Sequence, residues 1–229
     1  SPSVSAVMQP SQRSFPGSHA LPPPPPPPSS PLSSSPPGAT PHAPANRATL
    51  AAAALAAPAY ANNYAIDPTH TFVIYEIGHF GTSTNRGRFD KKEGTVQFDR
   101  AAKTGKVEVN FELGSVDTGV AMLDKHLQSA DFFDSANHPK AKFVGDKFSF
   151  EGDKVTQVAG LLTLRGKTQP VVLKATNFNC YMSPMLKREV CGGDFEATIK
   201  RSQWGVNWGL DMGFPDDVRL LVQVEAVKQ

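Results

Sequence analysis

Seven residues, Lys106-Val107-Glu108-Val109-Asn110-Phe111-Glu112, alternate polar and apolar without a break. That period of two marks a half-buried strand with Val107, Val109 and Phe111 on its inner face. Arg219–Glu225 repeats the pattern, placing Leu220, Val222 and Val224 together. The run Thr71–Ile77 is β-branched and aromatic, and period two groups Thr71, Val73, Tyr75 and Ile77 on one side. Shorter strand candidates lie at 87–89, 95–98, 141–144, 147–150, 155–164, 171–177 and 194–200. Turn chemistry separates many of them, as in Lys92-Glu93-Gly94, Glu151-Gly152-Asp153 and Arg165-Gly166-Lys167. One stretch breaks the rhythm. Within 117–136, Leu123, His126 and Leu127 follow helical i, i+3, i+4 spacing, which predicts a short helical segment near 120–135 at a barrel end. A crossover with no role beyond packing is the alternative. Many short strands with little helix predict an all-β chain, an antiparallel barrel or a sandwich.

Composition divides the 229 residues in two. Residues 1–61 hold 16 of the 21 prolines, no Asp, Glu or Lys, and only Arg13 and Arg47 as fixed charges. Residues 1–46, rich in Pro and Ser, bury too little apolar area to offset their ordering entropy and are expected to be disordered. In 47–61 one arginine precedes an alanine-leucine run ending in Ala59-Tyr60-Ala61, the logic of an export signal cut after Ala61. An Ala-rich linker is the alternative. A signal does not belong behind 46 disordered residues, so residues 1 to about 45 are expected to be an upstream translation artefact or a fragment boundary. The remaining 168 residues carry 21 basic and 21 acidic side chains, and 5 prolines. A neutral body lacks the electrostatic footprint for nucleic acid. No run of 18 apolar residues marks a transmembrane helix.

Catalytic signatures are missing from the sequence. There is no Gly-x-Ser-x-Gly elbow, phosphate loop or dinucleotide fingerprint. His70 and His79 flank the first long strand, about 30 Å apart along it, too far to share a metal. No cofactor or metal is expected. Cys180 and Cys191 bracket a turn-forming Ser183-Pro184; a disulfide stapling a hairpin is expected after export, with two free thiols as the alternative. The body holds 13 of the 14 phenylalanines and both tryptophans. An aromatic-rich barrel of about eight strands either packs solid or holds one apolar ligand.

An ordered series of motifs resembles the YceI-like family of polyisoprenoid-binding proteins. It opens with Tyr64-x-Ile66-Asp67-x-x-His70-Thr71-x-Val73-x-Tyr75-x-Ile77-x-His79 and Gly87-Arg88-Phe89. It continues through Ser115-Val116-x-Thr118-Gly119 and Asp124-x-His126-Leu127-x-Ser129-x-Asp131-Phe132-Phe133-Asp134. His138-Pro139 with Phe143, then Gly160-x-Leu162-Thr163-Leu164-x-Gly166-x-Thr168, then Arg201-Ser202-x-Trp204-Gly205 and Val218-x-Leu220 complete it. Tyr75 and Trp204 stand where the family often has Phe, and His138 where it usually has Tyr.

The resemblance implies a lipocalin-like barrel with a long apolar tunnel, located in the periplasm and holding an isoprenoid, quinone or other long-chain lipid. Phe132, Phe133, Phe143, Leu162, Leu164 and Trp204 then join the alternating sets above as tunnel wall. Arg88, His126 and Arg201, with His70 and His79 behind them, are the candidates for a polar head group, arginine being suited to a phosphate or quinone oxygen; a surface or barrel-end salt bridge is the alternative for each arginine. Two rival expectations remain: a lipid-modifying enzyme, betrayed by a His–Asp hydrogen bond at the tunnel mouth, and a solidly packed envelope protein. A homodimer using the cysteine hairpin is a further expectation.

Overall fold

The computed structural model describes residues 61–229. The expectations for 1–46 and for the signal-like segment fall outside them, apart from Ala61. Eleven strands occur among the described residues: β1 Asn62–Ile66, β2 Phe72–His79, β3 Ser83–Phe89, β4 Lys92–Asp99, β5 Thr104–Glu112, β6 Val116–Asp117, β7 Lys140–Glu151, β8 Lys154–Leu164, β9 Lys167–Met182, β10 Glu189–Lys200 and β11 Asp217–Lys228. One helix, α1 (Ala121–Gln128), and two short 3-10 turns, Leu113–Ser115 and Arg201–Trp204, complete the list.

All pairings are antiparallel. The eleven strands reduce to eight staves. β1 and β2 pair in turn along β11, through Ile66↔Ala226 and then Val222↔Val73, so they form one broken stave. β3 with β4 form the second, since β2 pairs β3 and β1 pairs β4. β5 with β6 form the third. β7 to β11 follow as single strands, and β11 returns to β1 to close the barrel. Closure abolishes sheet edges.

The three breaks lie near one another and are built by side chains. Asp67 accepts from the Thr69 backbone N–H and hydroxyl and from His70, turning the chain at Pro68. Thr71 Oγ1 donates to the Glu225 carbonyl and accepts from the Glu225 N–H, standing in for the missing ladder bonds. Ser115 caps the third break by donating to the Glu112 carbonyl and accepting from the Lys91 N–H. Such kinks bend flat strands into a barrel.

Alternation holds where the sequence shows it. Val107, Val109 and Phe111 of β5 and Leu220, Val222 and Val224 of β11 point inward, while Glu108 pairs with Lys142 and Arg219 with Glu76 and Glu196 outside. Two glycines make room for rings: a Cβ at Gly87 would meet Tyr75 at 2.5 Å, and one at Gly105 would meet Phe148 at 2.5 Å. Cys180 and Cys191 sit directly opposite in β9 and β10 and form a disulfide.

Candidate functional site

The barrel is not packed solid. It encloses a cavity of about 390 Å³, within the range of about 300–1,000 Å³ usual for ligand sites. Five alternate residues of β11, Val218 to Ala226, line it; eight residue-to-residue steps along a strand tilted as barrel strands are give a length of about 20 Å. The rival reading of a solidly packed interior does not fit this cavity.

The two ends differ. At one, Phe98, Phe148, Phe150 and Phe178 crowd together with centroids 5.8–6.4 Å apart, and buried Tyr64 donates to Glu189 at 2.6 Å. Arg100 holds the other Glu189 oxygen at 2.7 Å. At the other end the wall is formed by half-exposed side chains: Ile77, His79, Asn85, His126, Phe132, Trp208 and Phe214. This end is the mouth. α1 lies against it, with Leu123, His126 and Leu127 all in the cavity wall.

Apart from Tyr64 and Thr71, whose hydroxyls are bonded to Glu189 and to the Glu225 carbonyl, the polar side chains in the wall gather toward the mouth. The Tyr75 hydroxyl is pushed up to about 12 by burial and by the Asp124 carboxylate, so it stays protonated at neutral pH. Arg201 is buried and lines the cavity, and its Nη2 has no hydrogen-bond partner. Its other nitrogens donate to the carbonyls of Pro215 (2.8 Å), Val206 (3.0 Å) and Trp208 (2.7 Å). Arg201 therefore shapes the 205–216 segment that carries Trp208 and Phe214. Burial lowers the Arg201 pKa and Asp216 opposes this; Asp216 is itself held low, its burial outweighed by hydrogen bonds from Ser202.

Of the residues anticipated as tunnel wall, Thr71, Val73, Tyr75, Ile77, Val107, Val109, Phe111, Phe132, Phe133, Phe143, Leu162, Leu164, Leu220 and Val222 face the cavity. Trp204 does not. It is fully buried and donates Nε1–H to the Leu162 carbonyl at 3.0 Å, so it supports the wall from behind. Of the anticipated head-group set, His79, His126 and Arg201 converge on the mouth. Arg88 is a correction. It alternates with inward Gly87 and Phe89, faces out, and pairs with Asp90 (2.9 Å) and Asp117 (3.6 Å). His70 is a second correction, because it is spent on Asp67 at 2.8 Å at the exposed stave break. Asn85, Trp208 and Phe214 were not anticipated. The two aromatic residues sit in an irregular segment with no period to read. Phe89 and Phe98 also line the cavity, and alternation along β3 and β4 carried that signal.

His126 Nε2 stands 3.4 Å from Asp131 Oδ2 at the mouth. That is the sign sought for an enzyme, but the contact is long and Asp131 is mostly exposed. Among the described residues, no serine, threonine or cysteine hydrogen-bonds to the His126 ring; Phe132 and Trp208 pack against it edge-on. No helix among the described residues is long and apolar enough to cross a membrane.

The described residues thus form a closed eight-stave barrel around an elongated apolar cavity with a semi-polar mouth. The YceI-like domain model matches residues 64–226, and the chain belongs to that family. A UPF0312 protein of Pseudomonas paraeruginosa is 36% identical over 191 residues, covering 79% of this chain and 98% of the relative. Another from Pseudomonas savastanoi is 42% identical over 121 residues, and that match spans 63% of its length and 52% of this chain. Among solved structures, the Campylobacter jejuni YceI protein superposes with TM-score 0.59 at 27% identity, covering 67% of this chain and 90% of that one. A domain from Saccharophagus degradans described as polyisoprenoid-binding shares the fold, with TM-score 0.51 at 14% identity, covering 72% of this chain and 98% of that one.

Proposed function

We propose that this protein binds one long-chain amphiphile, an isoprenoid, a quinone or a related lipid, inside the barrel and carries it through the periplasm. One observation carries the reading: the cavity wall is mostly apolar along its length, and Tyr75, His79, Asn85, His126 and Arg201, with its unpartnered Nη2, stand toward the mouth. An amphiphile fits that arrangement chain-first, with its head near Arg201. Each methylene taken from water contributes about 0.8 kcal/mol, so a chain of several isoprene units outweighs the cost of association. The description of the S. degradans domain as polyisoprenoid-binding supports the ligand class. The signal-like 47–61 segment and the Cys180–Cys191 disulfide support an oxidising, exported setting.

Carriage is the role proposed; the His126–Asp131 contact is 3.4 Å long and partly exposed, which gives the alternative of a lipid-modifying enzyme little support. The test begins with mass spectrometry of an organic extract of the exported protein, purified without detergent; a stoichiometric lipid is expected. Val222→Trp then puts an indole into the cavity. Uptake of cis-parinaric acid is expected to fall at least tenfold while the thermal melt stays cooperative. An empty wild-type protein that also takes up no fatty acid refutes the proposal. N-terminal sequencing of the exported form is expected to begin at Asn62.

A further inference from the structure

We propose that the barrel mouth docks onto the surface of an electrically neutral lipid bilayer, opening the cavity toward the acyl region. The inference rests on the lipid-binding reading and adds where the ligand enters and leaves.

Three elements at the mouth turn large apolar side chains to solvent: Phe80 in the β2–β3 turn (57% exposed), Met122 (85%) and Val120 (54%) at the start of α1, and Met212 (52%) in the 205–216 segment. Phe80 joins the cavity wall through unbroken ring contacts. Its centroid lies 4.6 Å from Phe214, Phe214 lies 5.6 Å from Trp208, and Trp208 lies 5.3 Å from Phe132 and 5.1 Å from His126. The last four line the cavity. Apolar surface thus runs from the outside of the molecule to its interior, a path a lipid can follow without meeting water if a bilayer covers the rim.

The Phe80 backbone is a second, independent observation. His79-Phe80-Gly81-Thr82 is a β-turn closed by Thr82 N–H to the His79 carbonyl at 3.0 Å, inside the three-residue loop that joins paired His79 and Ser83. Both central residues have positive φ, +50° at Phe80 and +69° at Gly81. Asn, Asp or Gly is the favoured residue at the first of these positions, and a bulky aromatic is strained there. The barrel gains little burial from a ring 57% exposed, so the strain points to a use outside the fold.

Charge selects the kind of surface. Among the described residues, charges of both signs surround the mouth: Lys200 pairs with Asp217 and Arg86 with Glu76, each at 2.7 Å, and exposed Lys125 and Lys167 are offset by exposed Asp131 and Asp211, so no net positive charge seeks anionic lipid. Insertion therefore relies on apolar side chains. The other exposed apolar group, Tyr181, Met182, Met185 and Leu186, lies at the β9–β10 hairpin tip at the opposite end and serves as the control.

The experiment compares flotation with phosphatidylcholine vesicles for wild type, Phe80→Asn and Met185→Asn, alongside cis-parinaric acid uptake in solution. Wild type is expected to float, and added salt to leave this unchanged. Phe80→Asn suits the turn better, so its melting temperature is expected to match or exceed wild type while vesicle partitioning falls about tenfold and uptake from solution persists. Met185→Asn is expected to float like wild type. A wild type that does not float, a Phe80→Asn protein that floats equally, or loss in Met185→Asn overturns the docking. A wild type that floats but takes up no fatty acid upholds the docking and refutes the cavity reading.

Discussion

The far end and the mouth of this barrel are built from similar residue types held in different ways. At the far end, Tyr64, Glu189 and Arg100 form a charged hydrogen-bond chain over four packed phenylalanines, and the Cys180–Cys191 disulfide ties β9 to β10 nearby. At the mouth, Phe80, Phe214, Trp208, Phe132 and His126 touch by ring contacts, and the 205–216 segment is held behind them by the Arg201 guanidinium, by Arg165 on the Gly205 carbonyl and by Ser202 on Asp216. Charge-assisted bonds and a covalent link resist local opening, whereas half-exposed rings rearrange at small cost. The proposed carriage needs both: one end that keeps its shape and one that lets a ligand pass.

The strongest way to break this comparison is truncation at each end. Tyr64 is 2% exposed, and Tyr64→Ala is expected to cost about 3–5 kcal/mol in urea unfolding. Met122→Ala at the rim is expected to change stability by less than about 0.5 kcal/mol. Equal losses would mean the ends are not distinct.

Removing the disulfide sharpens the comparison next. The cysteines are 11 residues apart, and Cys180→Ala/Cys191→Ala is expected to lose about 3 kcal/mol on the loop-entropy account. Dithiothreitol should produce the same loss in wild type. Fatty acid uptake well below the melting temperature should survive, since the mouth is untouched.

The smallest effect is a pH dependence. The hydrogen bond from Tyr64 holds the Glu189 carboxyl below the usual glutamate range, with Arg100 helping. A carboxyl that titrates lower in the folded chain than in the unfolded one adds stability above the unfolded value. That stability disappears as pH falls through the folded value. Asp67, Glu76 and Asp216 behave likewise, so wild type should destabilise toward acid. Glu189→Gln is expected to cost about 1–2 kcal/mol near neutrality and to flatten part of that acid limb in thermal melts. An unchanged acid limb would remove Glu189 from the account.

Much of the site could be read where a strand has one wet and one dry face. β11 and β5 kept their alternation, and Leu123, His126 and Leu127 kept their helical spacing. Arg88 shows a signal overridden: Phe89 next to it faces in, so period two already placed Arg88 outside. Trp204 had no such signal. Whether a buried indole lines a cavity or backs its wall depends on where its N–H finds an acceptor, and Leu162 lies 42 residues away. Trp208 and Phe214 were unreadable for a related reason, since the Arg201 guanidinium arranges their segment through backbone carbonyls.

The sequence by itself determined the β class, the inward faces of the longest strands, the helical insert and the family, because these follow from short-range periodicity and an ordered set of local motifs. Tertiary structure alone decided that eleven strands act as eight staves, that the interior is hollow, and which end opens. Those outcomes depend on contacts such as Tyr64 with Glu189, 125 residues apart, and Thr71 with Glu225, 154 apart, which no local pattern encodes.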